Sequence, residues 1–120
     1  MIREALPNRR EIETFRFEHK GIKHFASFSR FSDGRIAECF LDASKIGSDA
    51  QSYARDAAVV LSLALQFGVD IDTMKNAVTR NDDGSPAGPI GVLLDRLAMT
   101  GKAAHNVREQ QSQDFHGCGL

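Results

Sequence analysis

Tryptophan is absent from this 120-residue chain, tyrosine occurs once and cysteine only twice. With Cys39 in an apolar run and Cys118 in a polar C-terminal stretch, neither a disulfide scaffold nor a cysteine-based zinc site can be assembled. Such sparing cysteine use fits a reducing cytoplasm. Long apolar runs are also missing. The longest, Ala57 to Leu65, is broken by Ser62 and falls short of the ~20 residues that span a bilayer. The opening MIREALPNRR lacks the apolar stretch of a secretory signal, so neither membrane insertion nor export is expected. A formal net charge of -1 argues against a strongly polyanionic partner such as nucleic acid. His19, His24, His105 and His116 show no ligand spacing of the H-x-x-x-H kind, so no metal is expected and no cofactor motif occurs.

What remains is ordinary globular composition, 42% hydrophobic and 26% charged, in a length that supports one core and one domain. Residues 1–13 are polar, contain Pro7 and read as an extended arm. Phe15 and Phe17 then alternate with Arg16 and Glu18, the period-2 pattern of a half-buried strand. Lys20-Gly21 turns the chain into IKHFASFSRF, with Ile22, Ala26 and Phe28 on one face and Phe25 and Phe31 on the other. Ser32-Asp33-Gly34 is a hairpin signal. The third strand, RIAECFLDA, sets Ala37, Cys39, Leu41 and Ala43 against Ile36, Glu38 and Phe40. Short links make all three strands antiparallel neighbours.

At Gly47-Ser48 the period changes to 3.6, and Ser48 with Gln51 forms a capping box. A long helix follows over residues 48–67, with Ala50, Tyr53, Ala54, Ala57, Leu61, Ala64 and Leu65 inward and Gly68 as its stop. Val59, Val60 and Leu63 make the helix apolar on further sides, which points to partners, including a second copy of the chain. Asp70 caps a short helix bearing Ile71, Met74 and Val78. After the loop RNDDGSPAG, Pro89 opens a third helix with Ile90, Leu93, Leu94 and Leu97 inward and Gly101 at its end. The expected fold is therefore α+β, a three-stranded antiparallel meander followed by three helices, over residues 14–101. Residues 102–120 read as a polar tail, mobile or ordered by a partner.

Several places could carry chemistry. In LDASKIGSDAQ, Lys45, Gly47 and Ser48 converge on the first free N–H groups of a helix, which suits an anion. The same residues also serve as a plain turn and cap, and Asp49 opposes an anion there. Glu38, between Ile36 and Phe40, is a candidate acid or base if its face is covered, or a structural carboxylate neutralised by Arg16 or Arg30. Arg80 and Asn81 head a loop that is either a helix connection or a contact for a ligand or subunit. That loop lacks the alternating acids and closing Glu of a calcium site. Five phenylalanines at 15, 17, 25, 28 and 31, interleaved with Arg16, Lys20, Lys23 and Arg30, resemble base-stacking sheets, but they also supply most of the aromatic mass of the core.

From Thr14 to Arg80 the chain resembles the TSCPD domain, found at the C-terminal end of cobalamin-dependent ribonucleotide reductases and in small stand-alone proteins. The resemblance rests on the Lys45-x-Gly47-Ser48 turn, the Ala/Leu-rich helix closing in Leu-Gln-x-Gly-Val, and the short helix after it. The resemblance implies a module serving ribonucleotide reduction, beside a reductase partner, with a nucleotide or phosphate ligand. Reductase-linked members carry cysteines near the end of this region, whereas NAVTRNDDG has none, which argues against a redox shuttle. A reductase barrel cannot fit in a chain this short, so no self-sufficient catalysis is expected. The alternative is a structural homo-oligomer or interaction module with no small ligand.

Overall fold

The computed structural model describes residues 1–100. The phenylalanine alternation becomes β1 (Glu13–His19), followed by β2 (Ile22–Arg30) and β3 (Ile36–Ala43), paired antiparallel in the order β1-β2-β3. Lys20 and Gly21 both have positive φ, 52° and 79°, a turn whose twist matches the strands it joins. It fixes Phe15 opposite Ala26 and Phe17 opposite His24. In the second hairpin the Gly34 N–H donates to the Phe31 carbonyl at 2.9 Å, and an Asp33 carboxylate oxygen accepts from the Arg35 N–H at 3.1 Å. Three helices follow: α1 (Asp49–Gln66), α2 (Ile71–Ala77) and α3, residues 89–100. The α+β arrangement is the one expected.

One sheet face carries the core. Ala26, Phe28, Cys39 and Leu41 meet Ala54, Ala58, Leu61 and Leu65 of α1 and Leu93, Leu94 and Leu97 of α3, with Phe15 and Phe17 packed at its margin. Each such leucine contributes about 1.5–3 kcal/mol on burial. Two residues depart from simple alternation. Ser29 pairs with Glu38 but Arg30 pairs with Ile36, so Ala37 is a bulge and Ile36 turns into the core, away from the face of Glu38 and Phe40. Phe31, expected on the face opposite Phe28, lies beyond the end of β2 and is buried, with the Arg35 guanidinium 4.7 Å from its ring centre.

The inward face of α1 also differs from expectation. Tyr53 is 70% exposed, and Gln66 is buried alongside Ala54, Ala58, Leu61 and Leu65. The reason is that α1 covers the edge of β3 as well as its face. Ser62 Oγ accepts from the Cys39 N–H and donates to the Cys39 carbonyl, both at 2.9 Å, and Gln66 Nε2 donates to the Ala37 carbonyl at 3.1 Å. These two side chains stand where a fourth strand would otherwise pair, one of the ways a protein blocks an open sheet edge. Two polar residues are therefore drawn inward, and the apolar stripe rotates accordingly.

Ser48 caps the start of α1, and paired hydrogen bonds from Gly68 to Leu65 and Val69 to Ala64 close its end. Asp70 caps α2 by accepting from the Thr73 N–H at 2.7 Å. The arm over residues 1–12 forms no helix or strand, yet it is anchored: the Glu4 N–H donates to the Gln66 carbonyl at 2.7 Å and Arg3 Nε donates to Gln66 Oε1 at 2.6 Å. The expected Gly101 stop and the tail with His105, His116 and Cys118 lie outside the described residues.

Candidate functional site

The sheet face opposite the core is open. Phe25 of β2 and Phe40 of β3 are 42% and 51% exposed there, on the floor of a groove of about 1120 Å³. Val59 and Leu63 of α1 form one wall, and Arg3 and Leu6 of the arm close an end. Period-2 geometry causes this, since residues that alternate with the core positions must point the other way. Aromatic surface left in water at a concave site is the common composition of a binding pocket.

The charges lining the groove are mostly paired. Glu38 is buried on this side and accepts from Arg10 Nε at 2.5 Å and Ser29 Oγ at 2.7 Å. Its cation is Arg10 of the arm, in place of the expected Arg16 or Arg30, and Arg30 pairs with Glu13 instead. Both contacts fall on Oε2, and a buried carboxylate neutralised by an arginine suits a structural role over a catalytic one. Asp42 accepts from Arg55 Nε at 3.1 Å and Nη2 at 3.0 Å, and from Gln51 Nε2 at 3.1 Å. The Arg55 hydrogen bonds hold its carboxyl below the usual range despite some desolvation. Arg16, exposed on the floor, has no ion pair among the described residues. Beneath the floor, burial pushes the Cys39 thiol up to about 12, so it stays protonated and inert.

The turn before α1 is geometrically closed. Ser48 Oγ accepts from the Gln51 N–H at 3.1 Å and donates to the Lys45 carbonyl at 2.5 Å, while Gln51 Oε1 accepts from the Gly47 N–H at 2.9 Å. Gly47 sits at φ +75°, a conformation that a side chain would strain. The Ser48 hydroxyl and the Gly47 N–H are thus both engaged, and Lys45 is exposed beside them. Arg80 is equally occupied. Its guanidinium makes a two-point contact with Asp95, at 2.7 and 2.9 Å, and donates to the Lys75 carbonyl at 3.0 Å. Asn81 Nδ2 donates to Ser85 Oγ at 3.0 Å within the same loop. Arg80 therefore ties α2 to α3, and neither it nor Lys45, Gly47 or Ser48 lines the groove.

One buried polar group escaped the sequence reasoning. His24 is 2% exposed, stacks on Phe17 with ring centres 5.1 Å apart, and places Nδ1 3.0 Å from the Ile22 carbonyl. Its position between Ile22 and Ala26 on the inward parity was the available signal. Nε2 has no hydrogen-bond partner among the described residues. Among the described residues no group of three or more His, Cys, Asp or Glu could hold a metal ion, and no helix is long and apolar enough to cross a membrane.

A small domain of an antiparallel sheet and helices is the class that this geometry defines among the described residues. Its homologues are vitamin B12-dependent ribonucleotide reductases, so the relationship expected from the sequence holds. The chain is 38% identical over 131 aligned residues, 98% of its length, to the vitamin B12-dependent ribonucleotide reductase of Agrobacterium fabrum. It is 35% identical over 88 residues, 73% of its length, to that of Bradyrhizobium diazoefficiens. It is 31% identical over 74 residues to that of Rhodopirellula baltica. The matched segments span only 10%, 7% and 7% of those proteins. No protein-family model matches the chain, and no solved structure matches it.

Proposed function

We propose that this chain is a ligand-binding accessory module in the service of ribonucleotide reduction, not self-sufficient in catalysis, and that the groove on the open sheet face is its binding site. The observation that carries the reading is the pairing of aromatic floor and spare cation. Phe25 and Phe40 offer two exposed rings while Arg16 has no ion partner among the described residues. A nucleotide suits that combination, with its base against the rings and its phosphate on the guanidinium. Kinship with a segment of vitamin B12-dependent ribonucleotide reductases supports nucleotides as the chemical class. The hydrogen bonding that already occupies Ser48 and Arg80 supports the groove over the two places the sequence suggested.

Thermal stabilisation by a panel of nucleoside mono-, di- and triphosphates tests this reading. At a hundred times the dissociation constant a ligand stabilises by about 2.7 kcal/mol, which is well resolved in a melt. Phe40→Ala and Arg16→Ala should each remove the shift and Lys45→Ala should leave it. A panel that shifts nothing at millimolar ligand, or a shift lost with Lys45→Ala and kept with Phe40→Ala, overturns the groove reading.

A further inference from the structure

The two edges of the sheet are not treated alike. On the β3 edge, Ser62 and Gln66 occupy the outward groups of Cys39 and Ala37. Since Cys39 points its backbone outward, its neighbour Phe28 points toward β1, where it pairs with Glu13. Glu13, Phe15 and Phe17 therefore face β2, and Thr14, Arg16 and Glu18 turn their N–H and C=O groups out from the edge. Among the described residues no backbone hydrogen bond outside the sheet ladder reaches those three. β1 runs for seven residues with no proline and no register shift against β2, so it lacks two of the devices that discourage edge pairing.

We propose that β1 pairs antiparallel with β1 of a second copy about a twofold axis at Phe17, joining the two sheets into one. The charges on the edge select this register. Centred on Phe17, each Arg16 lies opposite Glu18 of the other copy, and the pair exchanges two backbone hydrogen bonds. A phosphate on Arg16 in the groove would compete with this charge pair, so nucleotide binding and dimerisation oppose one another. Centring on Arg16 or on Glu18 opposes like charges, which is destabilising, and centring on Phe15 leaves both charges without an opposite partner. The chosen register also brings Phe17 against Phe17 of the second copy at the closer type of cross-strand pair, and Phe15 against His19. Phe17 is half-buried in one copy, so the join covers aromatic surface that a single sheet leaves in water. The apolar outer residues of α1, Val59 and Val60, take no part.

Sedimentation equilibrium from low-micromolar to millimolar protein, at low and high salt, tests the proposal. The expected result is a dimer that weakens with salt. Arg16→Glu and Glu18→Arg each set like charges opposite one another at both symmetry-related pairs, and each should weaken the dimer about tenfold or more. The double variant Arg16→Glu/Glu18→Arg restores opposite charges and should restore the dimer, a rescue that misfolding cannot imitate. Amide exchange at Arg16 and Glu18 should slow in the dimer. A monomer throughout the range overturns the proposal. So does a dimer indifferent to both reversals, and if that dimer is lost in Val60→Glu the contact lies on α1.

Discussion

Ser62→Ala isolates the contribution of the helix that guards the β3 edge. One hydroxyl there accepts from the Cys39 N–H and donates to the Cys39 carbonyl, each at 2.9 Å. Cys39 itself is 1% exposed, so water has poor access to either group once the hydroxyl is gone. Leaving a buried backbone donor or acceptor without its partner costs about 1–3 kcal/mol. Alanine is the better helix former, which returns at most about 0.5 kcal/mol. The net expectation is a loss of about 1–2 kcal/mol, and a domain of this size loses roughly 4–8 °C of Tm per kcal/mol. Ser52→Ala, at an exposed position of the same helix, serves as the control for intrinsic helix preference. With no tryptophan to follow, urea and thermal unfolding are read by far-ultraviolet circular dichroism. If Ser62→Ala and Ser52→Ala unfold at the same midpoint, the edge is satisfied by solvent and the covering role of α1 is refuted.

Three further outcomes follow from particular contacts. The Cys39 thiol, raised from 9.0 to about 12 chiefly by burial, should resist maleimide in the folded protein and react on unfolding, as read by mass spectrometry of its peptide. Because the unfolded chain sheds that proton first, stability is full below pH 9.0 and falls as pH rises toward about 12, by at most about 1.4 kcal/mol per pH unit; a Cys39→Ala variant should lose that alkaline slope. At the acid end, Asp42 and Asp95 are held below their ordinary 3.8 mainly by Arg55 and Arg80, so their contribution is present above that value and fades as pH falls through the lowered one. Arg55→Met should move the acid midpoint slightly upward, a difference that salt diminishes because the pair is largely exposed. Finally, a Cβ at Gly91 would sit 2.9 Å from Pro86 Cβ, so Gly91→Ala should cost about 1–3 kcal/mol, whereas Gly88→Ala meets nothing within 4 Å; equal midpoints for the two would contradict the close packing of α3 on the loop.

Local patterning alone was enough for most of the architecture. The alternation at Phe15 and Phe17, the Lys20-Gly21 and Ser32-Asp33-Gly34 turns, and the caps Ser48 and Asp70 all act within a few residues of themselves, and the structure realises each of them. Leu93, Leu94 and Leu97 were legible as core for the same reason, since a 3.6 period gives one helix face to the interior.

Partners distant in sequence were beyond that reach. The bulge at Ala37 turns Ile36 into the core, a choice made by pairing with β2 that strand alternation cannot encode. Gln66 and Ser62 read as polar interruptions of an apolar helix, and become edge-binding groups only where α1 crosses β3. Glu38 found Arg10, across a separation of 28 residues, and left Arg16 exposed on the groove floor. The proposed groove site rests on these contacts. At the turn read as an anion pocket, the Ser48 hydroxyl and the Gly47 N–H are engaged by the helix cap while Lys45 stays exposed, and the groove at Phe25 and Phe40 exists only because the sheet has two faces and the helices bury one. The sequence by itself determined which elements form, because capping, turning and periodicity are short-range. Tertiary structure decided which polar groups remain free, because each must be satisfied by whatever neighbour folding brings to it.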